Sequence, residues 1–257
     1  MKQPLRNSFQ RSLLLGSCAL WLFCASWNAA AQEKQDNWSF DFNPYLWVAE
    51  INLETTLPSI PSSSPDVDRF DTKISAGAMF SAQARYKSVG LLVDFAWLRL
   101  DTEALNPGPA FSAVDLKSDF IHSTLGLTYS LPLQGRLHAD VLAGARLWHV
   151  SENLEFKSGV LPGFDASGNK TWADPVIGAD LRYDLSKSWY ADVKGTVGGF
   201  GVAADLAYEV FGGFGYRITD WCSVTAGYRY LHEDYSRDRF AFNLDAHGFL
   251  VGFGFHF

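Results

Sequence analysis

From residue 38 onward the chain alternates apolar and polar side chains with a period of two, broken at regular intervals by turn residues. Successive side chains on a strand point to opposite faces, so this alternation marks half-buried β-strands. It predicts ten of them, near 38–50, 72–86, 90–102, 116–130, 136–150, 170–185, 189–200, 204–218, 222–235 and 240–257. Most exceed the five or six residues usual in soluble sheets and reach the roughly 9–11 that a tilted strand needs to cross a bilayer. The connections alternate in length. Those at 87–89, 132–135, 186–188 and 219–221 are short; those at 51–71, 103–115 and 151–169 are long, with 201–203 and 236–239 short but on the same side. Short turns at one end and longer loops at the other is the pattern of outer membrane barrels. Both chain ends then fall on the short-turn side, which makes the strand number even.

The two faces differ sharply. One parity carries residues such as Phe40, Phe42, Leu46 and Val48, then Leu91, Val93, Phe95 and Trp97, then Leu125, Leu127 and Tyr129, then Leu206, Val210 and Phe214. These apolar runs hold no charged residue, although 19% of the chain is charged. A charge facing lipid costs about 2–4 kcal/mol at the midplane, which accounts for the exclusion. The other parity carries Asp41, Arg85, Asp94, Asp140, Arg146, Asp180, Arg182, Asp184, Asp192, Lys194, Glu209, Arg217 and Arg229. Acids and bases nearly balance there, as expected of a lumenal charge network. A soluble sandwich would hide its apolar faces instead. The expectation is therefore an all-β fold, a closed antiparallel transmembrane β-barrel of about ten strands. Eight strands result if one hairpin lies outside the membrane, and twelve if residues 51–71 add one. Closure leaves no unpaired sheet edge in lipid.

The first residues read differently. Lys2, Arg6 and Arg11 precede an apolar run at 12–26, and Ala29-Ala30-Ala31 supplies a small-residue cleavage site. This predicts a signal peptide over 1–31, removed after Sec-type export, and a barrel domain over 32–257. Its loss makes the net charge of −7 still more negative, which argues against a nucleic-acid partner. Two of the three cysteines leave with it, so Cys222 has no intramolecular disulfide partner.

Tyr86, Tyr129, Tyr183 and Tyr216 sit on the apolar parity just before short turns, and Trp189 and Trp221 lie just after or within two of them. Amphipathic rings prefer the membrane–water interface, so these six form a predicted periplasmic girdle. The last strand ends Phe253, Phe255, Phe257. This resembles the terminal signature of bacterial outer membrane proteins read by the barrel assembly machinery. The segments NPYLW (43–47), WADPVIGADLRYDLS (172–186), VGGFGVAADLAYEVFGGFGYRITDWCSVTAGYRYL (197–231) and LDAHGFLVGFGFHF (244–257) resemble a group of poorly characterised proteobacterial outer membrane β-barrel proteins. The resemblance implies a barrel of eight to ten or so strands in the cell outer membrane, with no known reaction.

Three functions follow from such a barrel. The first is a small barrel largely filled by lumenal ion pairs, structural or presenting its loops. The second is a narrow channel or carrier for small solutes, with Gly77, Gly126, Gly144, Gly178 and Gly213 leaving a thin path or else letting large neighbours pack. The third is a lipid-modifying enzyme. Its nearest hint is His122-Ser123, similar to the His-x-Ser of lipid A deacylases, but adjacent residues on a strand face opposite ways, so the pair cannot act together without a bulge. The first, non-enzymatic reading is preferred. The six histidines show no metal-ligand spacing, and no cofactor motif is present; His138 and Asp140 share a face and read as a structural pair. Gly198-Gly199-Phe200-Gly201 has no following helix and reads as a tight hairpin, not a phosphate loop. The expected partners are outer membrane lipid, the assembly machinery and an unidentified extracellular ligand. The loop at 51–71, with Pro58, Pro61, Pro65 and the acids Asp66, Asp68 and Asp71, is the candidate recognition surface.

Overall fold

The computed structural model describes residues 37–56, 69–105, 111–237 and 240–257. They form ten strands: β1 (Trp38–Thr56), β2 (Arg69–Tyr86), β3 (Val89–Leu105), β4 (Phe111–Ser130), β5 (Leu137–Ser158), β6 (Phe164–Asp184), β7 (Trp189–Gly198), β8 (Ala204–Arg217), β9 (Cys222–Arg237) and β10 (Phe240–His256). Each pairs antiparallel with its sequence neighbours, and β1 pairs with β10 to close the barrel. The closing seam is tied at its end by reciprocal backbone bonds between Phe40 and Phe257, at 3.0 and 2.9 Å. The predicted signal peptide and most of the 51–71 loop lie outside the described residues, as does 106–110.

The outer face carries the apolar parity. Leu46, Leu127, Phe214 and Phe249 are all exposed. The six girdle residues ring the short-turn end, each 38–51% exposed. Trp189 packs on Tyr216 at 5.0 Å, and Trp38, absent from the predicted girdle, packs on Tyr86 at 5.1 Å. A second ring of aromatics marks the far side of the apolar band. Tyr208 stacks on Tyr230 and His232, and the Tyr228 hydroxyl is 2.7 Å from His247 Nδ1.

Beyond that second ring the barrel continues, and its faces reverse. The expected loop at 151–169 is instead strand: β5 runs to Ser158 and β6 begins at Phe164, joined by five residues. On this rim the ion pairs Arg99–Asp119 and Lys157–Asp115 point outward, while Val114, Phe156 and Leu154, with the buried Glu152, face inside. An outward polar face suits water rather than lipid around the rim. β7 and β8 do not take part. They end at the 199–203 turn, where Gly199, Phe200 and Gly201 all adopt positive φ, a conformation glycine takes at little cost. Asp174 of β6 fixes this tight hairpin by accepting the backbone N–H groups of Ala203 and Ala204 at 3.0 and 2.8 Å.

Candidate functional site: the lumenal chamber

The lumen has two unlike halves. On the short-turn side, periplasmic in barrels of this kind, a chamber of about 520 Å³ is lined by the inner faces of all the strands. The thirteen charges singled out from the sequence point into the lumen, and all but Asp184 line this chamber. They pair locally. Arg85 binds Asp140 at the mouth, Arg217 binds Asp184 at 2.6 Å, and Lys194 binds Asp180 at 3.1 Å. His138 reaches Asp184 at 3.0 Å, so its expected pairing with Asp140 does not form; Asp140 is held by Arg85 across the mouth.

The deepest layer is the tightest. Glu209 accepts from Arg146 and Arg229, each at 2.9 Å. Arg229 also donates to the Tyr45 hydroxyl at 2.8 Å, and Tyr45 donates to Asp94 at 3.0 Å. Two guanidiniums from β5 and β9 thus share one carboxylate from β8, and the chamber ends on them. Exposure falls along the same path, from 59% for the His138 side chain at the mouth to 0% for Arg146 at depth. The chamber opens at the short-turn end and narrows at its other end.

Above the charges lies an aromatic septum that sequence reasoning missed, with the buried Glu233 accepting from Trp172 Nε1 at 2.9 Å. Trp148 of β5 and Trp172 of β6 meet Phe242 of β10 at 5.6 and 5.3 Å, and Trp172 stacks on Tyr235 of β9 at 4.4 Å. Opposite walls therefore touch across the lumen, and Val150, Leu231 and Leu244 fill the spaces between. The lumen is not filled by ion pairs along its length, as the sequence suggested; the ion pairs surround an open chamber and aromatic rings close it. Inner-face glycines such as Gly144 and Gly213 serve close packing within the wall. A Cβ on Gly144 would sit 2.1 Å from the Leu125 carbonyl, and one on Gly213 would sit 2.8 Å from the Phe211 ring. These glycines admit a neighbouring strand or ring.

His122 lies under the septum, with its ring edge on Trp148 at 4.7 Å and no hydrogen-bond partner for either nitrogen. Ser123 follows the outward parity of Leu125 and Leu127, so the two do not meet.

A second cluster forms at the mouth, on the seam. Asp41 of β1 faces His256 of β10 directly, and Ser223 of β9 faces Gly254 of β10. His256 Nδ1 is 2.5 Å from Asp41 Oδ1, and His256 Nε2 is 3.1 Å from Ser223 Oγ. The Tyr190 hydroxyl of β7 lies 3.5 Å from the same Ser223 oxygen and 2.8 Å from Thr225. Gly215 makes this reach possible, since a Cβ there would meet the Tyr190 ring at 2.0 Å. Asp41 and His256 lie 215 residues apart in sequence, and barrel closure brings them together. Among the described residues no group of three or more His, Cys, Asp or Glu is arranged to hold a metal.

The barrel is similar to the outer membrane protease OmpT from Escherichia coli, with a TM-score of 0.48, 10% identity, and 89% of this chain and 99% of that chain covered. It is also similar to Ail, the attachment invasion locus protein of Yersinia pestis, with a TM-score of 0.34, 14% identity, and 86% and 98% covered. The Pseudomonas putida toluene transporter TodX gives a TM-score of 0.34 at 11% identity, with 86% and 90% covered. At these identities the likeness extends to the barrel alone. No family model matches the chain, and no curated protein matches it.

Proposed function

We propose that this outer membrane β-barrel is a non-conducting wall protein, blind to the outside and open to the periplasm, with a tall extracellular rim as its outward surface. The observation that carries the reading is the septum. Trp148, Trp172, Tyr235 and Phe242 bridge opposite walls with ring centroids 4.4–5.9 Å apart, which supports a seal between the chamber and the rim. Ten-strand barrels are narrow enough for side chains to close in this way. Export by the Sec route and recognition of Phe253, Phe255 and Phe257 by the assembly machinery complete the proposal.

A gated channel is the second reading, and one observation favours it. Buried polar atoms in and under the septum lack hydrogen-bond partners among the described residues: Trp47 Nε1 and both His122 nitrogens. Buried polar groups normally find a partner in protein or water, so this layer is suited to hydration if the rings part. Planar-bilayer recording decides between the two. A folded barrel that stays silent across the accessible voltage range fits the closed reading. Discrete, reproducible steps from the unmodified chain overturn it in favour of the gate.

A further inference from the structure

We propose that Ser223, His256 and Asp41 are a hydrolytic triad at the periplasmic mouth of the chamber, acting on small carboxylic esters that enter from the periplasm. This goes beyond the closed-wall reading, which concerns the septum at the other end. Triads are recognised by geometry and roles, not by position in the chain. Here the nucleophile–base distance is 3.1 Å and the base–carboxylate distance is 2.5 Å, through opposite nitrogens of one imidazole.

The hydrogen bonding fixes the tautomer. An ionised Asp41 only accepts, so His256 Nδ1 must carry the proton. In the neutral ring Nε2 is then left with its lone pair facing Ser223 Oγ, which donates to it. That is the arrangement a serine nucleophile requires of its base.

The strand geometry is built for the contact. Ser223 and His256 are diagonal neighbours on adjacent strands, and the residue directly opposite Ser223 is Gly254. A Cβ on Gly254 would sit 2.5 Å from Ser223 Oγ and 3.3 Å from His256 Nε2. The glycine keeps open the space through which serine and histidine meet.

Tyr190 supplies the remaining part. Its ring carries the Arg182 guanidinium at 4.6 Å and that of Arg217 at 5.0 Å, so positive charge gathers over the ring face. Ser223 is only 2% exposed, and the Tyr190 hydroxyl lies against it. A carbonyl carbon reaches Oγ when this ring tilts toward the chamber, which Tyr190, Thr225, Gly254 and His256 all line. The displaced hydroxyl is then placed to donate to the developing oxyanion, a role tyrosine fills elsewhere.

The reaction balances without a cofactor. Ser223 Oγ bonds to the carbonyl carbon as its proton passes to His256 Nε2. The ester C–O bond then breaks and the alcohol leaves with that proton. Water attacks the acyl-serine with His256 as base, which releases the carboxylic acid and restores the serine.

The test uses the full chain, expressed to an outer membrane and extracted in mild detergent, with heat-modifiable gel mobility as the check of folding. Diisopropyl fluorophosphate is the covalent probe, its site read by peptide mass spectrometry, and p-nitrophenyl acetate is the turnover substrate. Ser223 is expected to be phosphorylated in the folded barrel and not in the urea-unfolded chain. Turnover is expected to fall at least about 100-fold in Ser223→Ala and in His256→Gln. An unlabelled Ser223 in the folded wild type overturns the proposal, whatever the variants do. So does equal labelling in a folded His256→Gln, or turnover that survives Ser223→Ala. Labelling is read without a bilayer, so its failure leaves the closed-lumen reading standing, and a conducting wild type leaves the labelling result standing.

Discussion

Removing the Glu209 carboxylate should destabilise the barrel by about 3–5 kcal/mol, because it strands buried cations. Arg146 is fully buried and has its tightest charge contact with Glu209 at 2.9 Å. In Glu209→Leu its guanidinium keeps only the hydroxyls of Thr196 at 2.7 Å and Thr124 at 3.4 Å. Arg229 loses its 2.9 Å partner too but keeps Asp94 at 3.4 Å and the Tyr45 hydroxyl. Most of the cost therefore falls on Arg146. Chamber water reaches part of Glu209, 18% of whose side chain is exposed, so the lower end of the range is expected. The assay is urea unfolding of the barrel in lipid vesicles, followed by tryptophan fluorescence. A second variant isolates the cause. Adding Arg146→Met to Glu209→Leu removes the stranded cation and should return about 1–3 kcal/mol, the usual range of coupling between contacting residues. A Glu209→Leu cost below about 1 kcal/mol, or no recovery in the double variant, would refute the claim that this trio acts as one electrostatic unit at the chamber's deep end.

Leu125 sits midway along the apolar stretch of β4, so Leu125→Arg should cost about 2–4 kcal/mol in the same vesicle assay, more than any charge placed on the rim. Gly144 backs onto Gly126 of β4, where a Cβ would sit 2.5 Å from the Gly126 Cα; Gly144→Val should prevent β4 and β5 from closing, read as loss of the heat-modifiable band. Trp148→Ala combined with Phe242→Ala removes two rings of the septum; conductance steps should appear where the wild type is silent, with about 3–5 kcal/mol of stability lost per ring. Persistent silence in that folded variant would move the seal to the rim cluster around Phe156.

What the sequence made legible follows from which solvent each face meets. Within the bilayer the outer parity must be apolar without exception, so Leu125, Val210 and Phe249 announce their face and the strand number follows. Above the second aromatic ring the constraint disappears. Residues 151–158 of β5, SENLEFKS, put Glu155 and Lys157 outside and Leu154 and Phe156 inside. Read against the membrane parity, such a segment looks like a polar loop, yet it is strand with its faces exchanged. The septum was hidden for the same reason, since Trp148, Trp172 and Phe242 are apolar residues on the parity that charges occupy lower down. The Ser223–His256–Asp41 relay was hidden for another. Its members come from β9, β10 and β1, and Asp41 and His256 stand side by side only because the first strand pairs with the last. Local periodicity carries no information about that seam. A barrel's exterior is thus written residue by residue in its sequence, while the chemistry of its lumen depends on closure. The two clusters that give this lumen its character, the Glu209 trio and the seam relay, are each assembled across strands that the alternating pattern treats as independent.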